Sequence, residues 1–205
     1  AKLTVTTPGD ITIGEISFSG LSAEGVALAG SKVVASASVK GSGSLSARWR
    51  KDGAELPDAG GVVANGGASY GVTVGNNSGG VYDLVVTNGA NIAYSKPVSL
   101  GVDPYLESFE GPHSVNPGDG IRFRAKMKSL KALKYRWLYR SESAKAWSAI
   151  VESTRVSGVA SDTLLVQGAT EADGGQYRVE VRYADGSSPS VVVGEEVSLT
   201  VSGLK

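Results

Sequence analysis

The densest chemistry in this sequence is a run of cations. Arg122, Arg124, Lys126, Lys128, Lys131, Lys134, Arg136 and Arg140 lie between Gly120 and Ser141 with no acidic residue among them. Clustered Lys and Arg attract anions, so an anionic glycan, a lipopolysaccharide phosphate or an acidic protein is the ligand class this run could hold. Trp147, a few residues on, could add an aromatic surface. The opposing expectation is a solvated strand face, its cations interleaved with acids from neighbouring strands and their long stems covering apolar surface. Other chemistries lack their residues. With no cysteine there is no thiol nucleophile, disulfide framework or Cys-type zinc site. The single histidine, His113, follows Gly111-Pro112 in a stretch that reads as an exposed loop, and no activated nucleophile accompanies it. Asp103, Glu107 and Glu110 are too few for calcium, which takes about six oxygen ligands, and no EF-type loop is present. The sequence therefore predicts no catalytic residues, no metal and no cofactor.

These residues sit on elements whose apolar signal has a period of two. Val33–Val39, Ile121–Lys128 and Tyr177–Tyr183 alternate apolar with small, polar or basic residues, which is the pattern of a strand with one buried and one wet face. Asp52-Gly53, Asn65-Gly66-Gly67, Asn88-Gly89, Pro117-Gly118-Asp119-Gly120, Asp173-Gly174-Gly175 and Asp185-Gly186 supply turns between such runs. Gly41–Ser44 and Gly75–Gly80 read as loops, since neither has the strand-to-helix context of a phosphate cradle. Short strands with regular turns predict an all-β sandwich architecture. Alternation places Arg122, Arg124, Lys126 and Lys128 on one wet strand face, and Lys134, Arg136 and Arg140 on another, where Arg178 and Arg182 could join them. Basic and acidic residues balance at 20 each. With no net positive charge, recognition helix or exposed aromatic platform, nucleic acid is not expected. No apolar run reaches the ~18 residues of a membrane span.

The chain is also duplicated. Trp49 and Trp137 lie 88 residues apart, Ala37 and Ala125 precede them by 12, and Tyr82 and Tyr177 follow the glycine pairs Gly79-Gly80 and Gly174-Gly175. The Trp-to-Tyr interval is 33 in the first copy and 40 in the second, placing about seven extra residues within 141–158. A repeat near 90 residues is a domain duplication. The predicted boundary is Val102/Asp103, giving domains 1–102 and 103–205. Residues 1–10 read either as a loose tail before a first strand near Ile11–Phe18, or, through Leu3-Thr4-Val5, as the end of a preceding repeat. The N-terminus has no secretory signal, which fits a mature chain, a fragment, or a protein not exported by that route.

A mid-strand Trp followed by Lys51-Asp52-Gly53-Ala54-Glu55-Leu56, together with Asp173-Gly174-Gly175-Gln176-Tyr177, resembles strand C with its turn and strand F of intermediate-set immunoglobulin-like domains. The resemblance implies two tandem immunoglobulin-like Greek-key β-sandwiches with a tyrosine corner in each. It also implies that strands B and C lie in opposite sheets, so the basic residues form two patches. Ser78 replaces the acid in the first copy, and a looser corner is expected there. The family's bridging cysteines would fall at Ala37 with Leu84 and at Ala125 with Val179, so the resemblance is to domains lacking the intersheet disulfide. Cysteine-free domains of this kind occur in bacterial cell-surface and phage virion proteins. The role implied by the resemblance is a non-catalytic, extracellular spacer that presents a recognition surface to a protein or glycan partner, flanked by similar repeats if the chain is a fragment. Two alternatives remain open: a glycan- or anion-binding module using Arg122, Arg124, Lys126, Lys128, Lys134, Arg136, Arg140 and Trp147, or accessory domains of a larger secreted enzyme. For Trp147 the reading is core of an added edge strand ahead of a binding aromatic.

Overall fold

The alternating runs form strands with the predicted polarity. The computed structural model describes residues 11–187, 192–193 and 196–202; the reading over Leu3–Val5 lies outside them. The chain divides into two compact units, 1–27 with 31–102 and 28–30 with 103–205. The short stretch 28–30 groups with the second unit, where the Ala29 N–H is bonded to the Asp103 carbonyl.

In the first unit, Lys32–Lys40 pairs antiparallel with Thr12–Ile13 and Ser17–Ser19 on one side and with Gly67–Thr73 on the other. The facing sheet runs Val98–Leu100, Gly80–Thr87, Ser46–Lys51, Ala54–Val62. Their inner faces meet in a core of Ala35, Ala37, Val39, Trp49, Leu84 and Val86, with Tyr82, Val33 and Leu100 in an adjoining cluster. In the second unit, one sheet runs Tyr105–Glu110, Ile121–Lys128, Thr163–Val166, Val156–Ser157. The other runs Ser114–Val115, Val197–Val201, Gly175–Tyr183, Leu133–Arg140, Ser148–Ala149. The first strand of this unit is split between the sheets, its second half pairing parallel with the last strand. Each unit has an immunoglobulin-like fold.

The positions where bridging cysteines would stand are core. Ala125 and Val179 are fully buried, as is Leu84, with Ala37 nearly so. Trp49 and Trp137 lie directly across from Leu84 and Val179 on the neighbouring strands, so side-chain volume holds the sheets together where a bridge is lacking. Phe123 stacks on Tyr177 at 4.6 Å between ring centres, and Phe109 meets Trp137 edge-on at 5.7 Å.

Both tyrosine corners form. The Tyr82 hydroxyl donates to the Ser78 carbonyl and the Tyr177 hydroxyl to the Asp173 carbonyl, each at 2.7 Å. The expected loosening at Ser78 does not occur, because the acceptor is a backbone carbonyl that any residue supplies. Ser78 also does the local work of the acid, its Oγ accepting the Gly75 N–H as Asp173 Oδ2 accepts the Thr170 N–H. Asp173 differs in also holding Arg155 at 2.7 Å. Burial alone would raise its pKa, but Arg155 and Thr170 together hold it below the usual carboxylate range.

Candidate functional site

Strand register decides what the cations of the second unit face. On Ile121–Lys128, alternation turns Arg122, Arg124, Lys126 and Lys128 outward, and the Tyr105–Glu110 strand lies alongside with a register shift between Leu106 and Ser108. Glu107 sits at that shift and takes Lys126 at 2.7 Å and Lys128 at 2.8 Å. Asp162, at the entry to Thr163–Val166, meets Arg124 at 3.5 Å. Lys128 also lies over the Tyr105 ring at 5.8 Å. Arg122 alone of the four has no ion-pair partner among the described residues. This first patch is a solvated ladder of alternating sign.

The hydrogen bonds from Lys126 and Lys128 lower the Glu107 carboxyl from its ordinary 4.5 to about 2. A depressed folded-state value means that the stabilisation from this acid is complete above the unfolded pKa and is lost as pH falls from about 4.5 through about 2. A side-chain carboxyl titration by NMR should give a Glu107 midpoint near 2. In Lys126→Met/Lys128→Met the midpoint should return toward about 4.3. A midpoint that stays low in the double variant would show that the lysines are not its cause.

The second patch lies on the opposite sheet, on the outer face of Leu133–Arg140 and Gly175–Tyr183. Glu180 stands across from Arg136 and binds its guanidinium through Nε at 3.0 Å and through Nη2. Glu180 also accepts from Arg178 at 3.2 Å. Arg140 donates to the Gln176 amide oxygen, and Glu196 reaches both Arg140 and Arg178 at 3.7 Å. The Trp147 ring is stacked by two guanidinium groups, Arg140 at 4.6 Å and Arg178 at 4.3 Å.

The expectation that Trp147 is core of an added edge strand is therefore wrong. It precedes the two-residue edge strand Ser148–Ala149, is only half-buried, and lies on the outward face. The guanidinium groups of Arg140 and Arg178, on the outer face of the sheet, offer the ring a cationic surface there. Leu138 shares the outward parity of Arg136 and Arg140, yet is only 4% exposed. Its cross-strand neighbours are Arg178 and Ala149.

Lys134 and Arg182 are the exception to this pairing. They lie directly opposite one another in the ladder, both exposed, and neither has an acidic partner among the described residues. They border a groove of about 590 Å³, lined also by Tyr135, Ile150, Val159, Ala160 and the Arg136–Glu180 ion pair. Sequence parity offers Arg182 only as an addition to the patch. Aligning the two alternating strands about the Trp137/Val179 pair is the signal that would place it opposite Lys134.

The remaining chemical candidates are engaged elsewhere. His113 is exposed, and its carbonyl accepts the Thr200 N–H. Asp103 is buried and accepts from the Leu130 N–H and the Tyr183 hydroxyl. With Glu107 held by lysines, the acids near the junction do not converge. Among the described residues no group of three or more His, Cys, Asp or Glu is placed to hold a metal, and no helix is long and apolar enough to cross a membrane.

No family model matches this sequence, and no curated protein matches it. Solved structures that resemble it are chains of immunoglobulin domains. Sidekick-1 immunoglobulin domains 1–5 is 19% identical, with 91% of this chain and 38% of that chain covered at a TM-score of 0.38. The N-terminal Ig1-2 module of the Drosophila receptor protein tyrosine phosphatase DLAR is 15% identical, with coverage of 96% and 100% and a TM-score of 0.40. Three N-terminal domains of the highly immunogenic outer capsid protein (Hoc) of bacteriophage RB49 are 16% identical, with coverage of 94% and 59% and a TM-score of 0.38. The chain spans 38% of the Sidekick-1 chain and 25% of an eight-domain DSCAM chain. The fold assignment rests on the strand order within each unit.

Proposed function

We propose that this chain is a non-catalytic tandem immunoglobulin-like module of an extracellular bacterial surface protein or phage virion. Its domains divide at Val102/Asp103; it acts as a spacer, and its second domain presents a recognition surface. The observation that carries the recognition component is the Lys134/Arg182 pair. Like charges directly opposite in a ladder repel. Glu180, which lines the same groove, is held by Arg136 and Arg178, and neither Lys134 nor Arg182 has an ion-pair partner among the described residues, so an anion bound between them would relieve the repulsion. The groove beside them offers Tyr135 and the apolar side chains of Ile150, Val159 and Ala160. Two cations next to an aromatic and apolar wall fit a sulfated or phosphorylated saccharide better than a neutral one. The spacer component is supported by the engagement of the other cations on the outer face of this sheet, Arg136, Arg140 and Arg178, with Glu180 and Glu196. The part of the basic face formed by Arg124, Lys126 and Lys128 is engaged by Glu107 and Asp162, which directs the proposal to the opposite sheet.

A sulfated-glycan array probed with the whole chain tests this reading. Binding at low ionic strength should fall steeply between about 50 and 200 mM salt, where screening shortens the reach of exposed charges. Lys134→Glu/Arg182→Glu should abolish it and Arg122→Glu/Arg124→Glu should leave it. Salt-insensitive binding, or equal loss in both variants, would overturn the assignment. Absence of binding by the unmodified chain would remove the recognition component and leave the spacer.

A further inference from the structure

The two units treat the same tryptophan differently. In the second, the buried Trp137 Nε1 donates to the Ser161 carbonyl at 2.9 Å. In the first, Trp49 is 2% exposed and its Nε1 has no acceptor among the described residues. A buried indole N–H without a partner is unfavourable, so its persistence calls for an explanation. Trp49 lines a groove of about 280 Å³, together with Asp58–Ala64 and Gly67–Ser69. The ladder beside it is interrupted, since Ala54–Val62 shifts register against Ser46–Lys51 between Arg48 and Arg50, and Asp58 there has φ 57°.

The groove opens next to an uncovered sheet edge. In the second unit, Thr163–Val166 pairs with Ile121–Lys128 on one side and is covered on the other by Val156–Ser157. The matching strand of the first unit, Gly67–Thr73, pairs with Lys32–Lys40 and with no second strand among the described residues. The chain reaches it from Ala54–Val62 through the turn 63–66, too short to form a covering strand. Register shows which groups are left facing out. The Val74 N–H donates to the Ser31 carbonyl, so alternation places Val72, Tyr70 and Ala68 in the bonded pairs and directs the N–H and C=O of Ser69, Gly71 and Thr73 away from the sheet. This edge also lacks the usual protection. From Ala59 to Tyr82 there is no Lys, Arg, Asp, Glu or Pro, the residues that ordinarily discourage strand addition.

We infer that the Gly67–Thr73 edge is a docking site for an extended segment of another polypeptide. That segment adds as a strand where Val156–Ser157 lies in the second unit and supplies a backbone carbonyl to Trp49 Nε1. The charge-free edge strand, with Asp58 on the facing wall of the groove, selects a segment without acidic residues, of small polar and apolar residues in alternation, as Val156-Ser157 itself is. This site is on the other unit from the Lys134/Arg182 groove, and neither reading depends on the other.

The test uses the whole chain and a capped heptapeptide alternating valine and serine. Proton–nitrogen NMR resolves the three indole N–H groups separately. On titration the Trp49 indole resonance should shift downfield while those of Trp137 and Trp147 stay in place. The amides of Ser69, Gly71 and Thr73 should gain protection from hydrogen exchange. Gly71→Pro removes an outward N–H, which an edge strand tolerates; a Cβ at that position meets only Val34 Cγ2 at 4.0 Å, and an unchanged far-ultraviolet circular dichroism spectrum is the check that the fold is retained. That variant should bind the peptide at least about tenfold more weakly, as expected for the loss of ladder hydrogen bonds. A Trp49 resonance unmoved at millimolar peptide, or unchanged affinity in Gly71→Pro, overturns the inference. Sedimentation distinguishes the occupant: concentration-dependent dimers abolished by Gly71→Pro would show that a second copy of this chain fills the edge, and would overturn the assignment to a different polypeptide.

Discussion

Replacing Trp137 with alanine is expected to destabilise the second unit by about 3–5 kcal/mol, the usual range for emptying a buried aromatic site. The ring is fully buried, packs on Phe109 and Phe123, and bonds the Ser161 carbonyl. Its removal therefore opens a cavity between the sheets at the level where a disulfide is missing. Trp147→Ala is the matched control. Trp147 gives up surface and two guanidinium contacts, worth about 1 kcal/mol together at an exposed site. Urea unfolding of the whole chain followed by far-ultraviolet circular dichroism measures both. Equal costs for the two substitutions would mean that Trp147 is a core residue after all, and would restore the expectation drawn from sequence.

Asp103→Ala is expected to cost about 2–4 kcal/mol, since a hydrogen bond to a charged group contributes about 1.5–3 kcal/mol and its former donors stay in a largely dry site. One carboxylate oxygen accepts the Leu130 N–H at 2.7 Å and the other the Tyr183 hydroxyl. Asp103 is 5% exposed and Tyr183 2%. The carboxylate thus ties the start of the stretch 103–205 to the turn at Leu130 and to the end of the Gly175–Tyr183 strand. A double-mutant cycle with Tyr183→Phe isolates the bond. The combined loss should be smaller than the sum of the single losses by about 1 kcal/mol or more. Strict additivity would show that the two side chains are energetically independent.

Much of the architecture is legible in the sequence because alternation is a local property. Ile121–Lys128 declares its buried and wet faces within eight residues, and the observed strand has those bounds. The Trp and Tyr markers follow from spacing, and the resemblance to immunoglobulin-like domains singles out Ala125 and Val179. Charge pairing is not legible from alternation alone, because it depends on register between strands distant in sequence. Lys128 is neutralised by Glu107 across a bulge, and Arg136 by Glu180, 44 residues on. Trp147 escapes a sequence reading for a related reason. Its short segment has no period, and its position is set by arginines on two separate strands.

The sequence by itself determined that the chain is all-β, duplicated, cysteine-free and built on two Trp–Tyr frameworks. Each of these properties is written in composition, spacing or a period of two. Only the tertiary structure decided which cations are engaged and which are open. The run from Arg122 to Arg140 looks uniform as text, yet folding turns three of its first four members toward Glu107 and Asp162 and leaves Lys134 facing Arg182. Tertiary structure also separated two tryptophans with the same sequence role, bonding Trp137 Nε1 and leaving Trp49 Nε1 beside an open edge. The physical reason is the same in both cases. A side chain's type sets what it can bind, but partnership requires another group within about 3 Å, and only the packing of distant strands brings one there.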